Sequence, residues 1–337
     1  MPPAPIRRPL TITSWLIVST LCLLLSPLIL AAGALAAGVM RQPQPRLLAR
    51  LVVEYFAREL LVLTACGALW LASGCGWRMR GPRFRRAHYG LLRWFVGGLA
   101  ARVRRLLDIT VRTEPEPAAA DSLDADRPVL VFSRHAGPAD TVFVTDILMS
   151  GYDRLPSVVF KDALALDPVV DLLGHRLPHA VLDKSDADEC EQRIRDAAAQ
   201  LGPRGALLLF PEGGNFTPER RRRSIAKLWR KGRRREAQAG EQMEHVLPPH
   251  PSGALAALAG NPDSDVIFAA HTGLGLAAFP GQLWRDPPIG RTLTAHMWRV
   301  SPDERPHDPD AHPAWLYDWW KRLDAWVEAQ GSESPPQ

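Results

Sequence analysis

The stretch VLVFSRHAGPAD, residues 129–140, decides the fold. Val129–Phe132 is a short run of β-forming residues that stops at a turn signal, Gly137–Pro138. Working outward, such runs alternate with helical ones. A helix is expected near 138–149, a strand at Ser157–Phe160, a short helix near 168–174, a strand at Ala180–Leu182, a helix at 187–200 and a strand at Ala206–Phe210. Asp265–Ala270 and Thr292–Val300 add strands, and Pro313–Gln330 a terminal helix. That rhythm predicts an α/β fold.

The first stretch also holds His135 and Asp140 in an H-x-x-x-x-D pair. A chain with ten histidines offers such a spacing readily, so its context carries the weight. On a regular helix residues five apart lie about 140° apart and do not meet, so a turn must intervene. Gly137–Pro138 supplies it, because glycine tolerates unusual φ and proline starts helices well. His135 then stands at a strand-to-helix turn with the Asp140 carboxylate within reach of one ring nitrogen. This orders the imidazole and leaves its other nitrogen free to accept a proton, which is the arrangement of a general base. A second segment, LLLFPEGGNFT at 207–217, brings Phe210, Pro211, Glu212, Gly213, Gly214 and Asn215 to the end of a buried strand. Ligands gather beyond the C-terminal ends of strands in such sheets, so the two segments are expected to converge. Glu212 has two readings, binding an acceptor hydroxyl or bracing the glycine turn by accepting backbone N–H groups. Asn215 and Thr217 are candidate caps for the following helix.

The two segments resemble the signatures of the glycerolipid acyltransferases, the family of 1-acyl-glycerol-3-phosphate and lysophospholipid acyltransferases. The resemblance covers roughly 125–275, with Lys161, Pro168 and Gly174 between the motifs, HVLPP at 245–249 after them, and a tryptophan-rich C-terminal helix. It implies a mixed sheet flanked by helices. It also implies that His135 deprotonates an acceptor hydroxyl, which attacks the thioester of acyl-CoA or acyl-carrier protein with no covalent acyl-enzyme. By the same resemblance the Glu212 motif lines the acceptor pocket. Two departures stand out. Gly137 occupies the place where the family pattern has serine, and Asn215 the place of an arginine that binds phosphate in phosphatidic-acid-forming members. Arg220 to Arg223 follow within two turns and are candidates to replace it, since guanidinium groups bind phosphate in a bidentate manner; otherwise they are a solvated face.

The 337 residues are 46% hydrophobic, and the apolar ones crowd the start. No charge lies between Arg8 and Arg41, and Ser14–Val39 is long enough to cross about 30 Å of hydrocarbon. Leu60–Trp77 is at the lower limit for a second span. The competing reading of the first is a signal peptide, with Arg7–Arg8 in front and an A-x-A site at Ala34–Ala36, but its apolar core runs past the usual length. Arg7 and Arg8 before the first segment, and Arg78, Arg80, Arg83, Arg85, Arg86 and Arg93 after the second, place both ends on the cytoplasmic side. Arg41, Arg46, Arg50 and Arg58 would then face outward, a conflict that a re-entrant or interfacial hairpin removes. Leu91–Val111 reads as a basic amphipathic helix that lies on an anionic leaflet or packs on the catalytic domain. The expected organisation is membrane-anchoring helices over 1–112 (apolar at about 10–39 and 60–77, amphipathic at about 91–111), a Pro-containing linker at 113–127, a catalytic domain at 128–305, and a Trp-rich helix and tail at 306–337.

Other patterns exclude rivals. Four cysteines without C-x-x-C make neither a disulfide scaffold nor a zinc module. His175 and His179 have metal-like spacing, but Pro178 breaks the helix it needs. Gly273-Leu-Gly275 with Ala278 imitates a dinucleotide loop, but Pro280–Gly281 would end its helix at once. No G-x-S-x-G elbow and no P-loop occur. Residues 220–235 carry ten basic side chains, and these account largely for the net charge of +5. With Trp229 as their one aromatic, they suit anionic lipid headgroups better than nucleic acid. Lys161, directly after the SVVF run, is a candidate contact for a phosphate or the CoA pyrophosphate, or a solvated strand-end lysine. Trp315, Trp319, Trp320 and Trp326 are expected as a packing face or interface belt.

These readings converge on a membrane-bound acyltransferase of the inner membrane, with its catalytic domain in the cytoplasm. It would esterify a lysophospholipid such as 1-acyl-glycerol-3-phosphate, with lysophosphatidylglycerol, glycerol-3-phosphate or a glycolipid as other acceptors. The backbone amides near Gly213–Gly214 are candidate oxyanion donors, and the chemistry calls for no metal or redox cofactor. A lipid-binding protein without catalysis is the alternative of another class.

Overall fold

A computed structural model describes residues 3–137, 139–183, 186–273, 284 and 287–331. In chain order the first elements are α1 (Ala4–Leu24), α2 (Ser26–Met40), α3 (Gln44–Ala72), α4 (Pro82–Leu107), β1 (Thr110–Pro115), α5 (Pro117–Asp124), β2 (Val129–Ser133) and α6 (Asp140–Asp146). There follow β3 (Leu155–Lys161), α7 (Pro168–Arg176), β4 (Ala180–Leu182), α8 (Ala187–Ala199), β5 (Gly205–Leu209), α9 (Pro218–Arg230) and α10 (Arg234–Glu241). The last are α11 (Pro251–Gly260), β6 (Asp265–Thr272), β7 (Thr292–Val300) and α12 (His312–Ala329).

The strands form one seven-stranded sheet in the order β1-β7-β6-β2-β5-β3-β4. It is mixed: β2 runs parallel to β5 and β6, β3 parallel to β5, and β7 antiparallel to β6. Every residue of β2, β5 and β6 is buried, which is why these segments read as unbroken apolar runs rather than alternating ones. Register fixes what leaves the sheet together. Phe132 pairs with Leu209 and Phe268, and Ser133 with Ala269, so the chain after β2, the turn after β5 and the end of β6 emerge side by side.

The chain divides into two compact units, Met1–Leu107 with Phe160–Asp183, and Asp108–Val159 with Lys184–Gln337. In the second, residues 113–127 do not form the expected linker: they complete β1 and all of α5. β1 pairs with β7 from Thr110↔Thr292 to Pro115↔Met297. The fully buried Arg154 donates to the carbonyls of Ser122, Leu123, Ala125 and Arg127, covering acceptors that the end of a helix leaves open. The helix expected near 138–149 begins at Asp140 and widens into a π-turn at Ile147–Gly151. Pro138 and the dinucleotide-like residues Gly275 and Ala278 lie outside the described residues. α12 is a packing face: Trp319 stacks flat on Phe268 at 4.5 Å, and Trp320 is fully buried.

In the first unit, the apolar stretch expected as one span is two helices bent by 64°. The break falls at Leu25, and α2 opens on Ser26–Pro27, where a missing N–H costs nothing. Among the described residues no single helix is long and apolar enough to cross a membrane; α1 and α2 meet that test only as the bent pair. Gly33 lets α2 close on α3, for a Cβ there would lie 2.6 Å from that of Ala49. Of the second apolar stretch only 60–72 is helical, as the end of α3, a 29-residue helix that includes Arg46, Arg50, Glu54, Arg58 and Glu59, and 73–77 form a turn. Arg7 and Arg8 each donate to the buried carboxylate of Asp171 in α7 at 2.8 Å. α7 ends at Arg176, so His175 and His179 share no helical face. Leu24, Leu28, Leu35, Val39 and Trp77 remain exposed.

Candidate functional site

His135 lies two residues past β2 and is held from four sides. Its Nδ1 is 3.2 Å from Asp140 Oδ2, and its ring stacks on Phe210 with centroids 4.4 Å apart. Its backbone N–H donates to Glu212 Oε1 at 2.9 Å, and its carbonyl accepts from the Phe216 N–H at 2.7 Å. Asp140, the first residue of α6, is buried and also accepts the Gly137 N–H at 2.6 Å, which closes the turn between the two. Burial pushes the Asp140 carboxyl upward, but His271, His135 and the Gly137 N–H overcome this and hold it below the ordinary carboxylate range. An ionised carboxylate accepts only, so Nδ1 carries the proton and Nε2 keeps its lone pair. The side chain of His135 is 17% exposed, so a ring held this way can take a proton from an approaching hydroxyl.

Glu212 is 2% exposed and braces rather than faces outward. Its Oε1 takes the His135 N–H and its Oε2 the Leu247 N–H, each at 2.9 Å, so one carboxyl joins the histidine loop to the HVLPP segment. Burial pushes its pKa up to about 8, against the pull of those two N–H groups and the Arg134 guanidinium. Gly213 needs its positive φ of 66°, and a Cβ there would meet the His250 ring at 3.2 Å. The Gly213 N–H is spent on the Phe210 carbonyl at 3.0 Å and is therefore no oxyanion donor in this conformation. Among the described residues the Gly214 N–H makes no hydrogen bond, which leaves it the better candidate of the two. Thr217 caps α9 by accepting the Arg220 N–H, whereas Asn215 lies before the helix and offers its carbonyl to Arg220 Nη1 at 3.1 Å. That guanidinium lies 3.5 Å from where a Gly214 Cβ would stand, so Arg220 is at the glycine turn although five residues beyond Asn215. Lys161 ends β3, half-buried, and belongs to the other compact unit.

Three residues that the sequence reading passed over hold this site. Arg134, 2% exposed, donates from Nη1 to the His271 carbonyl at 2.5 Å and from Nη2 to the His245 carbonyl at 3.0 Å. Asp324 of α12 accepts the Glu244 and His245 N–H groups at 3.0 and 2.6 Å, pinning the start of HVLPP. His271, near the end of β6, brings Nε2 to 3.6 Å from Asp140 Oδ2, the oxygen that also faces His135. For Arg134 the signal was its place inside the motif; Asp324 and His271 carry no local signal, because only register and packing bring them in.

With this geometry in place, residues 110–249 match the family model of the acyltransferases, which is consistent with the glycerolipid acyltransferase family. Comparison with curated proteins and with solved structures gave no match. The matched region runs from β1 to HVLPP and contains His135, Asp140 and Glu212. The fold is α/β, and within it the region from β1 to HVLPP is similar to the acyltransferases.

Proposed function

We propose that this protein is a membrane-bound O-acyltransferase that moves an acyl chain from acyl-CoA or acyl-carrier protein to a hydroxyl of a lysophospholipid such as 1-acyl-glycerol-3-phosphate. The observation that carries the reading is the His135–Asp140 pair, 3.2 Å apart within the region that matches acyltransferases. His135 Nε2 takes the proton of the acceptor hydroxyl as its oxygen bonds to the thioester carbonyl carbon. The carbonyl electrons move to oxygen, where Gly214 N–H is a donor candidate. Collapse of this adduct re-forms the C=O and breaks the C–S bond. The departing thiolate takes the proton from His135, leaving an ester and a free thiol. Asp140 supports the imidazolium formed between these steps.

Asn215 in place of an arginine favours a second reading of the acceptor, in which lysophosphatidylglycerol, glycerol-3-phosphate or a glycolipid takes the acyl chain. The Arg220 guanidinium beside Gly214 supports a phosphate-bearing acceptor in either case. Phe210 and Pro211 shape the same turn, and Lys161 is proposed for a phosphate of donor or acceptor. The exposed leucines of α1 and α2 support a hairpin embedded in the cytoplasmic face of the inner membrane. The exposed Arg222, Arg223, Lys227, Arg230, Arg234 and Arg235 support contact with anionic headgroups.

The test is transfer of labelled acyl-CoA, and separately of acyl-carrier protein thioester, by membranes carrying this protein to lysophosphatidic acid, lysophosphatidylglycerol and glycerol-3-phosphate. The expected result is an ester product lost in His135→Ala. Equal product from both proteins would remove His135 from the mechanism, and no product with any donor and acceptor would overturn the enzymatic reading.

A further inference from the structure

Asp140 has two histidines, not one. Its Oδ1 is buried and makes no hydrogen bond among the described residues, so Oδ2 alone receives its donors: Gly137 N–H at 2.6 Å and His135 Nδ1 at 3.2 Å. A third group, His271 Nε2, stands 3.6 Å from the same oxygen. That is too long for a full hydrogen bond but close enough for its N–H dipole to act on the charge.

The tautomer of His271 follows from its other contact. Nε2 is 3.2 Å from the Arg134 carbonyl, and a carbonyl only accepts, so Nε2 carries a proton. Nδ1 is buried and has no partner among the described residues. The ring is 3% exposed and its backbone is fixed by return: Arg134 Nη1 donates to the His271 carbonyl, and the Arg134 N–H to that of Ala269 at 2.9 Å. Its position is thus set by the β2–β6 ladder and not by Asp140. Among the described residues the charged or titratable groups that act on Asp140 are His135 from the loop after β2, His271 from β6, and Glu212 from the turn after β5, itself under the pull of the Arg134 guanidinium.

We infer that His271 is a positioning residue for the proposed acyl transfer: its N–H shares the charge of Asp140 and so keeps His135 from becoming too basic to release its proton. The inference rests on that reading for its catalytic meaning and on the three-residue geometry for its physical content. Without His271 the carboxylate loses that nearby N–H dipole, pulls harder on the His135 proton, and keeps the imidazole protonated to higher pH.

The experiment uses the full chain in membranes, with His271→Leu and His271→Ala as variants lacking the donor and His271→Gln as one that restores an N–H near the Nε2 position. Two readouts are taken against pH: kcat/KM for acyl transfer, and the rate at which diethyl pyrocarbonate, which attacks only neutral imidazole, modifies His135 as followed by mass spectrometry. In whichever donor-less variant folds, the midpoint for His135 is expected to rise by about half a pH unit in both readouts, equivalent to roughly threefold less neutral His135 below the midpoint. His271→Gln should return most of the shift. A midpoint that stays in place or falls in a folded donor-less variant overturns the inference, however much activity is lost, because a role in packing alone would lower the rate without moving the midpoint. The modification readout needs no turnover, so absence of acyl transfer would refute the proposed function and leave this result standing or falling by itself.

Discussion

At the scale of single residues, the site depends on groups with one task each. Asp140→Asn keeps the size of the side chain but offers Nδ1 an amide whose proton-bearing end is free to face it, which undoes the tautomer. A loss in kcat of roughly 100- to 10,000-fold with little change in KM is expected, measured on the acceptor that the transfer assay identifies. Glu212 makes a different prediction. Both of its oxygens accept backbone N–H groups, and a glutamine can satisfy only one, leaving two donors face to face. Glu212→Gln should therefore cost about 1–3 kcal/mol in unfolding experiments at pH 5. The pH dependence runs the other way. With its folded pKa raised to about 8 by burial, Glu212 holds a proton in the native state that the unfolded chain has already lost above about pH 4.3. Its contribution thus favours folding most at low pH and fades as pH rises towards 8. Thermal scans from pH 5 to 8.5 should show a decline in stability that the glutamine variant lacks.

At the scale of elements, α5 was hidden because its stability comes from outside it. The Pro and acidic residues of 113–127 have the composition of a linker, and Arg154, which covers the carbonyls at its C-terminal end, lies some thirty residues on. Arg154→Leu should free those carbonyls and unravel α5, with new proteolytic cleavage at 113–127 and a loss of about 3 kcal/mol in stability. Six of the seven strands, in contrast, were legible; β1 was not, since its residues had been read as the end of the amphipathic helix and the linker. β4 and β7 run as read, and β2, β3, β5 and β6 differ from their expected bounds by one or two residues; β2, β5 and β6 are buried along their whole length, and such a strand must be apolar throughout and announces itself. The same holds for the meeting of His135 with Asp140, a contact made within one turn. His271 and Asp324 were illegible for the opposite reason: their contacts span about 80 residues or more, and nothing beside them in the chain differs from ordinary sheet or helix sequence.

At the scale of the whole molecule, the first forty residues meet the length and hydropathy of a span only as two helices taken together. They form a bent pair, and the apolar side chains left outward support an embedded hairpin. Leu24, Leu28 and Leu35, each exposed, are the test positions; replacing all three by lysine should release the chain from membranes in a carbonate wash that leaves the parent chain in the pellet, at about 2.5–3.5 kcal/mol per lysine at full depth. The division of the chain has a consequence for its birth. Each compact unit is interrupted in sequence by part of the other, with Phe160–Asp183 returning to the first and Lys184–Gln337 to the second. Arg7 and Arg8 leave the ribosome more than 160 residues ahead of Asp171, their carboxylate partner. At about 5–20 residues per second, the N-terminal helices wait on the order of ten seconds or more, with apolar faces uncovered, before translation delivers the helix that completes their unit. Early delivery to a bilayer or a chaperone would shelter those faces during that interval, and a synonymous change that slows translation between 107 and 160 should increase aggregation without altering a single amino acid.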